Sequence, residues 1–286
     1  MITSYFMCKQ DFKWKKVINL VLEIILYRWV ISGIFLLTGY EQFSLKEFYK
    51  TIFVIPFNFG KGFTSSFLGL YILIPFVNKF ILCLDKKSFE KLIITLLILF
   101  TGLSSFLLNT AFEYIGWYIT VYFIGCYIRL YEMEWMKNKK TTILLCVGTL
   151  LLSWLSIVVI RIVSVKINKN LLYYWFVSDS NKILAITTAI GLFLYFKNIK
   201  IGSNKVINIM AASTFGVLMI HASSDTMRRW LWQDVCKNVE AFTSNKYFIL
   251  HAFCCTLSVY FICMFIDVCR KYIFGKIIQM ISKMEK

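Results

Sequence analysis

Long uninterrupted apolar runs dominate this 286-residue chain, and their length constrains its fold more than any other feature. An α-helix rises about 1.5 Å per residue, so about 20 residues cross a hydrocarbon layer of roughly 30 Å. The runs lack the period-two alternation of barrel strands. They predict an all-α fold, a polytopic transmembrane helix bundle of about eight spans. The predicted spans are residues 17–38, 64–82, 91–109, 112–131, 141–165, 183–196, 211–231 and 247–269.

The composition excludes a soluble globular protein. Hydrophobic residues make up 59% of the chain and charged residues only 16%, whereas soluble domains have roughly 45–50% and about 25%. One soluble core of this length cannot bury so much apolar surface. The chain has only two Pro residues and no Gly/Ser-rich linker. We therefore predict a single integral membrane domain over residues 1–286.

The net charge of +17 is by itself compatible with nucleic-acid binding. The positions of the cations favour another explanation, because Lys and Arg in loops beside spans mark the cytoplasmic side of a membrane protein. Eighteen of them lie in one alternating set of loops and ends, and eight lie in the other set. The first set comprises residues 8–16, 83–91, 132–140, 197–206 and 270–286. We predict a multi-pass protein with both termini in the cytoplasm and with membrane lipid, not nucleic acid, as a partner.

Three segments outside the spans have an amphipathic or aromatic character. The loop over residues 39–63 is rich in Phe and Tyr, which predicts that it lies in the membrane interface or re-enters the protein. Residues 166–182 contain a second aromatic run of the same kind. As a helix, the tail over residues 271–286 would have Ile residues on one face and Lys residues on the other, which predicts that it lies on an anionic inner leaflet. Residues 1–7 are apolar but too short to span, and they look like the end of a helix.

Ionisable groups inside apolar spans are costly, so each one is a candidate functional residue. His221 lies within the seventh predicted span and has two interpretations. Its imidazole could accept a proton or bind a substrate hydroxyl, or it could bond to a neighbouring helix as a structural residue. For His251, near the start of the last span, we prefer the structural interpretation. Glu23 and Arg28 are five residues apart, so we expect each to meet a partner on another helix.

The remaining charged candidates lie toward the predicted outer side. Arg161, late in the fifth span, could bind a carboxylate or phosphate or extend to the lipid head groups. Arg228 and Arg229 leave the same two interpretations open. Asp225 follows His221 by four residues, with the two arginines three and four residues further on. On one continuous helix these side chains would form a polar stripe, which we expect to face the protein interior or a wet cavity.

Motif patterns alone assign no chemistry. The sequence contains no Ser-His-Asp order, HExxH, P-loop or GxGxxG. Its nine Cys residues form no CxxC pair, and most fall in or beside apolar spans, which indicates small apolar side chains. We predict no metal site and no bound cofactor.

Four segments carry a family resemblance. Residues 2–7, with the basic stretch after them, are similar to the pattern I-S-G-Y-F-L. Residues 67–78 are similar to Y-L-x-L-Y-L-L-S-P-F-L-N, and residues 122–131 to Y-L-I-G-A-Y-I-R-L-Y. Residues 191–198 and 213–221 are similar to L-F-x-x-F-K-N and S-T-F-G-V-Y-L-I-H. In this order they resemble acyltransferase family 3, the integral membrane O-acyltransferases, and especially the bacterial surface-polysaccharide O-acetyltransferases.

The resemblance implies an acetyl transfer across a bacterial-type inner (cell) membrane. Acetyl-CoA, or another acyl-CoA, would be offered from the cytoplasm as donor substrate, not as a bound cofactor. A hydroxyl of a surface polysaccharide or of a lipid-linked sugar would accept the acyl group, helped by a His base and by polar groups that stabilise the oxyanion. The resemblance makes His221 the candidate catalytic residue. The candidate substrate-binding residues are Tyr71, Arg129, Arg161, Asp225 and Arg229.

The departures from the family pattern lead to a second hypothesis. The first seven residues resemble the end of the family's second span, so the family's one to two N-terminal spans, with the His assigned the central role, have no counterpart. Ser4 stands in place of a Gly, Leu218 in place of a Tyr and Ala222 in place of an acidic residue. We therefore expect an N-terminally truncated member with little or no activity of its own. The alternative is a non-catalytic membrane protein: an inactive remnant, a polysaccharide assembly partner or a transporter, although no repeat favours a transporter.

Overall fold

The computed structural model describes residues 1–55, 62–106, 114–200, 202–244 and 247–284. Helices account for most of these residues and no strand occurs among them, which confirms the predicted all-α fold. The helices are α1 (Ile2–Met7), α2 (Trp14–Leu37), α3 (Leu45–Ile52), α4 (Phe63–Leu82), α5 (Lys86–Phe106), α6 (Tyr114–Leu130), α7 (Lys139–Lys166), α8 (Ile183–Asn198), α9 (Lys205–His221), α10 (Asp225–Val235), α11 (Asn238–Ser244) and α12 (Phe248–Met284).

Five of the described helices are long and apolar enough to cross a membrane, namely α2, α4, α5, α7 and the Phe248–Phe274 part of α12. The pair α9 and α10 would be a sixth span, but the two helices are bent by 97°. The predicted span over residues 211–231 is therefore not one continuous helix. Two other predicted spans correspond to shorter described helices, α6 with 17 residues and α8 with 16. The eight predicted segments are mainly helical where they are described, apart from the break at residues 222–224 in the seventh, so the polytopic bundle is confirmed with five or six full-length spans.

The surface of the long helices explains the composition. Only 11% of the most apolar stretch of α7 is buried, and the same fraction holds for α12. Large side chains such as Trp154 and Phe265 are 73% and 67% exposed. Apolar surface of this extent on a monomer is stable in lipid and not in water. The chain is a membrane protein.

The chain forms two compact units. One takes in residues 1–17 and 58–201, and the other takes in residues 18–57 and 202–286. In the first unit, Gly191 of α8 lies so close to α7 that an added Cβ would be 3.1 Å from the Cα of Cys146. Small residues of this kind let the backbones of membrane helices approach each other. The single domain over residues 1–286 stays a prediction.

The short helix α1 is integrated into the first unit, as expected of a helix end. Ser4 is 1% exposed and lies against Gly125 of α6, where any Cβ would overlap the Ser4 hydroxyl. The Asn78 amide donates to the carbonyl oxygen of Met7 at 3.0 Å and accepts from the Tyr122 hydroxyl at 2.8 Å. These bonds satisfy polar groups that would otherwise be costly in an apolar core.

A π-helical turn over Ile98–Gly102 in α5 is supported by the loop before α8. The Asn181 amide donates to the Phe100 carbonyl oxygen at 2.9 Å, and the Lys182 ammonium donates to the Ser104 carbonyl oxygen at 2.6 Å. Lys182 is 2% exposed and its Nζ lies 3.7 Å from the ring centroid of Trp175. A cation at the C-terminal end of a helix and over an aromatic face is stabilised by both.

Two predicted interfacial segments are described in part. The loop over residues 39–63 contains α3, an amphipathic helix without a buried residue, while its residues 56–61 lie outside the described part of the chain. The tail is helical to Met284, but the predicted faces of its last ten residues depend on side chains that also lie outside it.

Candidate active site

His221 is the last residue of α9, in the second unit. Its Nδ1 lies 2.7 Å from the carbonyl oxygen of Val217, one helical turn earlier. A carbonyl oxygen only accepts, so this bond requires the proton of a neutral imidazole to be on Nδ1. The Nε2 atom is then the ring position with a lone pair. His221 is half-buried, with its ring edge toward Trp232 at a centroid distance of 6.3 Å.

A half-buried arginine bonds the backbone two residues after this histidine. The Arg28 guanidinium of α2 donates to the carbonyl oxygen of Ser223 at 2.6 Å, just after the end of α9. Two buried polar atoms next to this bond, Nε of Arg28 and Oγ of Ser223, have no hydrogen-bond partner in the described part of the chain. Most buried polar groups are hydrogen-bonded, so such orphans mark a position where a ligand or water fits. Carboxylates of Glu41 and Glu47 attract the Arg28 cation.

The predicted polar stripe from His221 to Arg229 does not form. The helix α9 ends at His221, and α10 starts at Asp225 after a break in which the Ser224 hydroxyl accepts from the Met227 amide at 3.0 Å. Ser224 is thus the N-cap of a new helix, which turns Asp225 away from the face of His221. The Asp225 side chain is 88% exposed and pairs with Arg228 at 3.1 Å.

A layer of polar contacts lies next to this break. The Thr226 hydroxyl donates to Glu41 at 3.3 Å, and the Tyr40 hydroxyl donates to Asp234. The bond to Asp234 raises the pKa of the Tyr40 phenol, because ionisation would place two anions side by side. Arg229 is exposed. The candidate substrate-binding residues Asp225 and Arg229 are thus exposed, while Arg28 and Ser223, which sequence patterns did not assign to the site, bond to each other two residues after His221.

The other three candidates belong to the first unit. The Tyr71 hydroxyl contacts the sulfur of Met7 at 3.9 Å, and the Arg129 guanidinium bonds the hydroxyl of Tyr5 at 3.0 Å while lying over its ring. Both side chains thus contact α1. Arg161 lies near the C-terminal end of α7, 5.9 Å from the ring centroid of Tyr173, and shares no contact with them. Their predicted role in substrate binding stays a prediction.

A buried ionic network in the second unit was not predicted. Asp267 of α12 is 0% exposed and accepts from the Tyr27 hydroxyl at 2.7 Å. Arg270 binds Asp267 at 2.7 Å and Glu23 at 2.8 Å. Lys271 completes the pairing of Asp267 at 2.7 Å. Two acids and two bases balance each other, so the network fixes helix positions without leaving a net charge.

The network explains one glycine of the family pattern and confirms one expectation. A Cβ on Gly216 would lie less than 3.0 Å from Oδ1, Cγ and Cβ of Asp267. Only glycine leaves room there for the carboxylate. Glu23 meets a partner on another helix, as predicted, whereas Arg28 bonds the backbone in the break between α9 and α10.

The arrangement around His221 is suited to proton transfer from a hydroxyl. The Nε2 lone pair can accept a proton, and the Arg28 cation with the free Ser223 hydroxyl can stabilise an oxyanion or hold a polar substrate group. Within the described ranges, no group of three His, Cys, Asp or Glu side chains could hold a metal ion.

The comparison with known families agrees with this chemistry. The model of acyltransferase family 3, described as an acyltransferase domain, matches residues 5–268. The match extends over most of the chain and over both compact units. No curated protein and no solved structure matches the chain.

Proposed function

Because this chain belongs to acyltransferase family 3 and is a membrane acyltransferase by that membership, we propose that it transfers an acetyl group from acetyl-CoA to a sugar hydroxyl. The acceptor is a surface polysaccharide or a lipid-linked sugar in a bacterial-type inner membrane, with both termini of the chain in the cytoplasm. The observation that carries the proposal is His221, whose Nδ1–H donates to Val217 so that Nε2 keeps its lone pair, together with Arg28, which bonds the backbone two residues further on.

The reaction divides between the named groups. The sugar oxygen attacks the thioester carbonyl carbon while Nε2 of His221 takes the hydroxyl proton. Arg28 and Ser223 stabilise the oxyanion that forms. The carbon–sulfur bond then breaks, and the CoA thiolate leaves and takes up the proton. The products are the acetyl ester of the sugar and free CoA.

The donor requires a cationic contact on the predicted cytoplasmic side. Arg129 is exposed at the end of α6, and Tyr5 holds its guanidinium in place. A planar guanidinium can bind phosphate oxygens in a bidentate manner. Arg129 stays a candidate substrate contact of the first unit, suited to phosphate oxygens, and so do Tyr71 and Arg161.

The test uses the whole chain in proteoliposomes with radiolabelled acetyl-CoA and a lipid-linked oligosaccharide. If His221 supplies the base in place of the family's N-terminal His, label appears in the oligosaccharide, contrary to the expectation of little or no activity, and His221→Gln loses at least about 10²-fold in kcat. Gln retains an acceptor near the position of Nε2 but is no base, so KM for the oligosaccharide should change little. The matched control is His251→Gln, since the chain has two His residues and His251 bonds Asn238.

The outcomes separate the alternatives. An unchanged kcat in His221→Gln would remove His221 from the catalytic role. Absence of label with the unmodified chain would refute acetyl transfer to this acceptor and support the non-catalytic alternative.

A further inference from the structure

A cavity of about 330 Å³ opens beside α2 in the second unit. Its walls are the face of α2 that carries Trp29, Ser32 and Gly33, and the segment from Glu41 to Ile52. Ligand sites in proteins have volumes of about 300–1,000 Å³. The cavity is next to Arg28 along α2, and Arg28 bonds the backbone beyond His221. It is therefore close to the candidate active site within the same unit.

The cavity combines aromatic walls with carboxylate oxygens. Trp29 is 51% exposed, and its indole N–H donates to the Thr51 carbonyl oxygen at 3.0 Å, which fixes the orientation of the ring. Phe43 and Phe48 contact each other at a centroid distance of 5.8 Å. Glu47 is among the polar lining residues and pairs with Lys50 at 2.6 Å. Apolar ring faces next to carboxylate oxygens suit a ligand that has both apolar and polar groups.

The charge of the lining restricts the ligand. Glu41 and Glu47 are lining residues, and no Lys or Arg is among the lining residues that the structure describes, although Lys50 pairs with Glu47 from outside the lining. A phosphate group inside it would meet two carboxylates at short range and be repelled. This argues against acetyl-CoA, a phospholipid head group or the diphosphate of a lipid carrier as occupant. A sugar ring has C–H groups that pack on an aromatic face and hydroxyls that donate to carboxylates.

We propose that this cavity binds a sugar ring of the acceptor glycan through Trp29 and the carboxylates Glu41 and Glu47. The assignment rests on the proposed function, because it identifies the cavity with the acceptor site. It adds the chemical class recognised, an unphosphorylated sugar ring, and the residues that recognise it.

Gly33 provides a direct test. A Cβ on Gly33 would meet no atom within 4 Å, so there is open space at the start of a larger side chain on this wall of the cavity. Gly33→Leu should fill the cavity and leave the fold intact. The matched control is Gly148→Leu, because Gly148 is also a helical glycine with no atom within 4 Å of its Cβ position and does not line the cavity.

The carboxylate has an equally matched control. Glu47→Gln keeps the shape of the side chain but removes the negative charge from the oxygen that would accept a sugar hydroxyl. Glu134→Gln makes the same change in a glutamate that pairs with Lys137, three residues on, at 2.8 Å. Only the first change should affect sugar binding.

The experiment measures saturation-transfer NMR on the whole chain in nanodiscs, with the methyl glycosides of glucose, galactose and N-acetylglucosamine as probes. We expect binding of at least one glycoside, reduced about tenfold or more by Gly33→Leu and several-fold by Glu47→Gln. Both control variants should bind as the unmodified chain does. Glucose 1-phosphate should bind at least about tenfold more weakly than the methyl glucoside.

Three results would overturn the proposal. The first two are no binding of any glycoside and equal glycoside binding by Gly33→Leu. The third is binding of phosphatidylethanolamine head groups instead of glycosides, with that lipid signal lost in Gly33→Leu. The acetyl-transfer assay separates the two proposals. Glycoside binding without acetyl transfer supports the sugar site and refutes the proposed reaction. Acetyl transfer with an unchanged acceptor KM in Gly33→Leu refutes the cavity assignment alone.

Discussion

Gly216 lies at the position where α9 meets the buried carboxylate of α12, so Gly216→Ala is a sharp test of the ionic network. The new Cβ would come within 3.0 Å of three atoms of Asp267. Restoring ordinary van der Waals contact requires the carboxylate to move by roughly 1 Å. Its oxygen now lies 2.7 Å from the Tyr27 hydroxyl and 2.7 Å from Arg270. Both bonds would lengthen beyond hydrogen-bond range.

The expected loss of stability follows from these contacts. Overpacking of a tight site costs about 1–3 kcal/mol, and each lost hydrogen bond to a charged group costs about 1.5–3 kcal/mol. Since part of the strain relaxes, we expect about 3–5 kcal/mol for Gly216→Ala, as for a disrupted buried ion pair. For a chain of this size the midpoint of thermal unfolding should fall on the order of 10 °C.

The assay is thermal unfolding in detergent, followed by retention of the monomer peak in size-exclusion chromatography. Gly148→Ala is the control, because its Cβ meets no atom within 4 Å and Ala is the better helix former. A double-mutant cycle adds specificity: in an Asp267→Gly background, which lacks all three clashing atoms, Gly216→Ala should cost less than about 1 kcal/mol. Equal losses in both backgrounds, or a Gly216→Ala protein as stable as the unmodified chain, would refute the reasoning.

Three further outcomes are expected. Lys182→Met removes the donor to the Ser104 carbonyl oxygen and should cost about 1–3 kcal/mol; an unchanged unfolding midpoint would contradict this. Gly191→Leu should lower the midpoint by several degrees, because its side chain would enter the backbone of α7; a stable variant would show that α7 and α8 can separate at little cost. Reporter fusions at Lys139 and at Lys286 should both read cytoplasmic, given the eighteen-to-eight distribution of loop cations; an outside result at either would break the assigned order of spans.

The helices could be predicted from the sequence because their signal is local. A continuous apolar run of sufficient length specifies a helix wherever it lies in the chain, and the predicted segments are mainly helical where they are described. The break after His221 was missed because no Gly or Pro marks it, although the residues that follow His221 are polar. A signal was present: Ser224, followed by the acid Asp225, is typical of a helix N-terminus.

The ionic network and the cavity could not be predicted in the same way. Tyr27 and Asp267 are 240 residues apart in sequence, and no local pattern connects them. The warnings were Glu23 and Asp267, acids inside apolar spans and hence groups that need partners. The cavity depends on how the segment from Glu41 to Ile52 lies against Gly33. From sequence, that segment indicated only an aromatic interfacial loop.

The helix α2 connects the ionic network with the candidate active site. Glu23 and Tyr27 bind the network, the next residue, Arg28, bonds the backbone beyond His221, and Gly33 lines the cavity. On a helix each residue is rotated by about 100° from the last. A shift of α2 by one residue would therefore break the bonds to Asp267 and Arg270 and turn Arg28 away from its carbonyl partner. Buried ion pairs add little net stability, but they penalise every alternative register. The network thus fixes the register of α2, and with it the positions of Arg28 and Gly33. The site on α2 is therefore preorganised before a ligand binds.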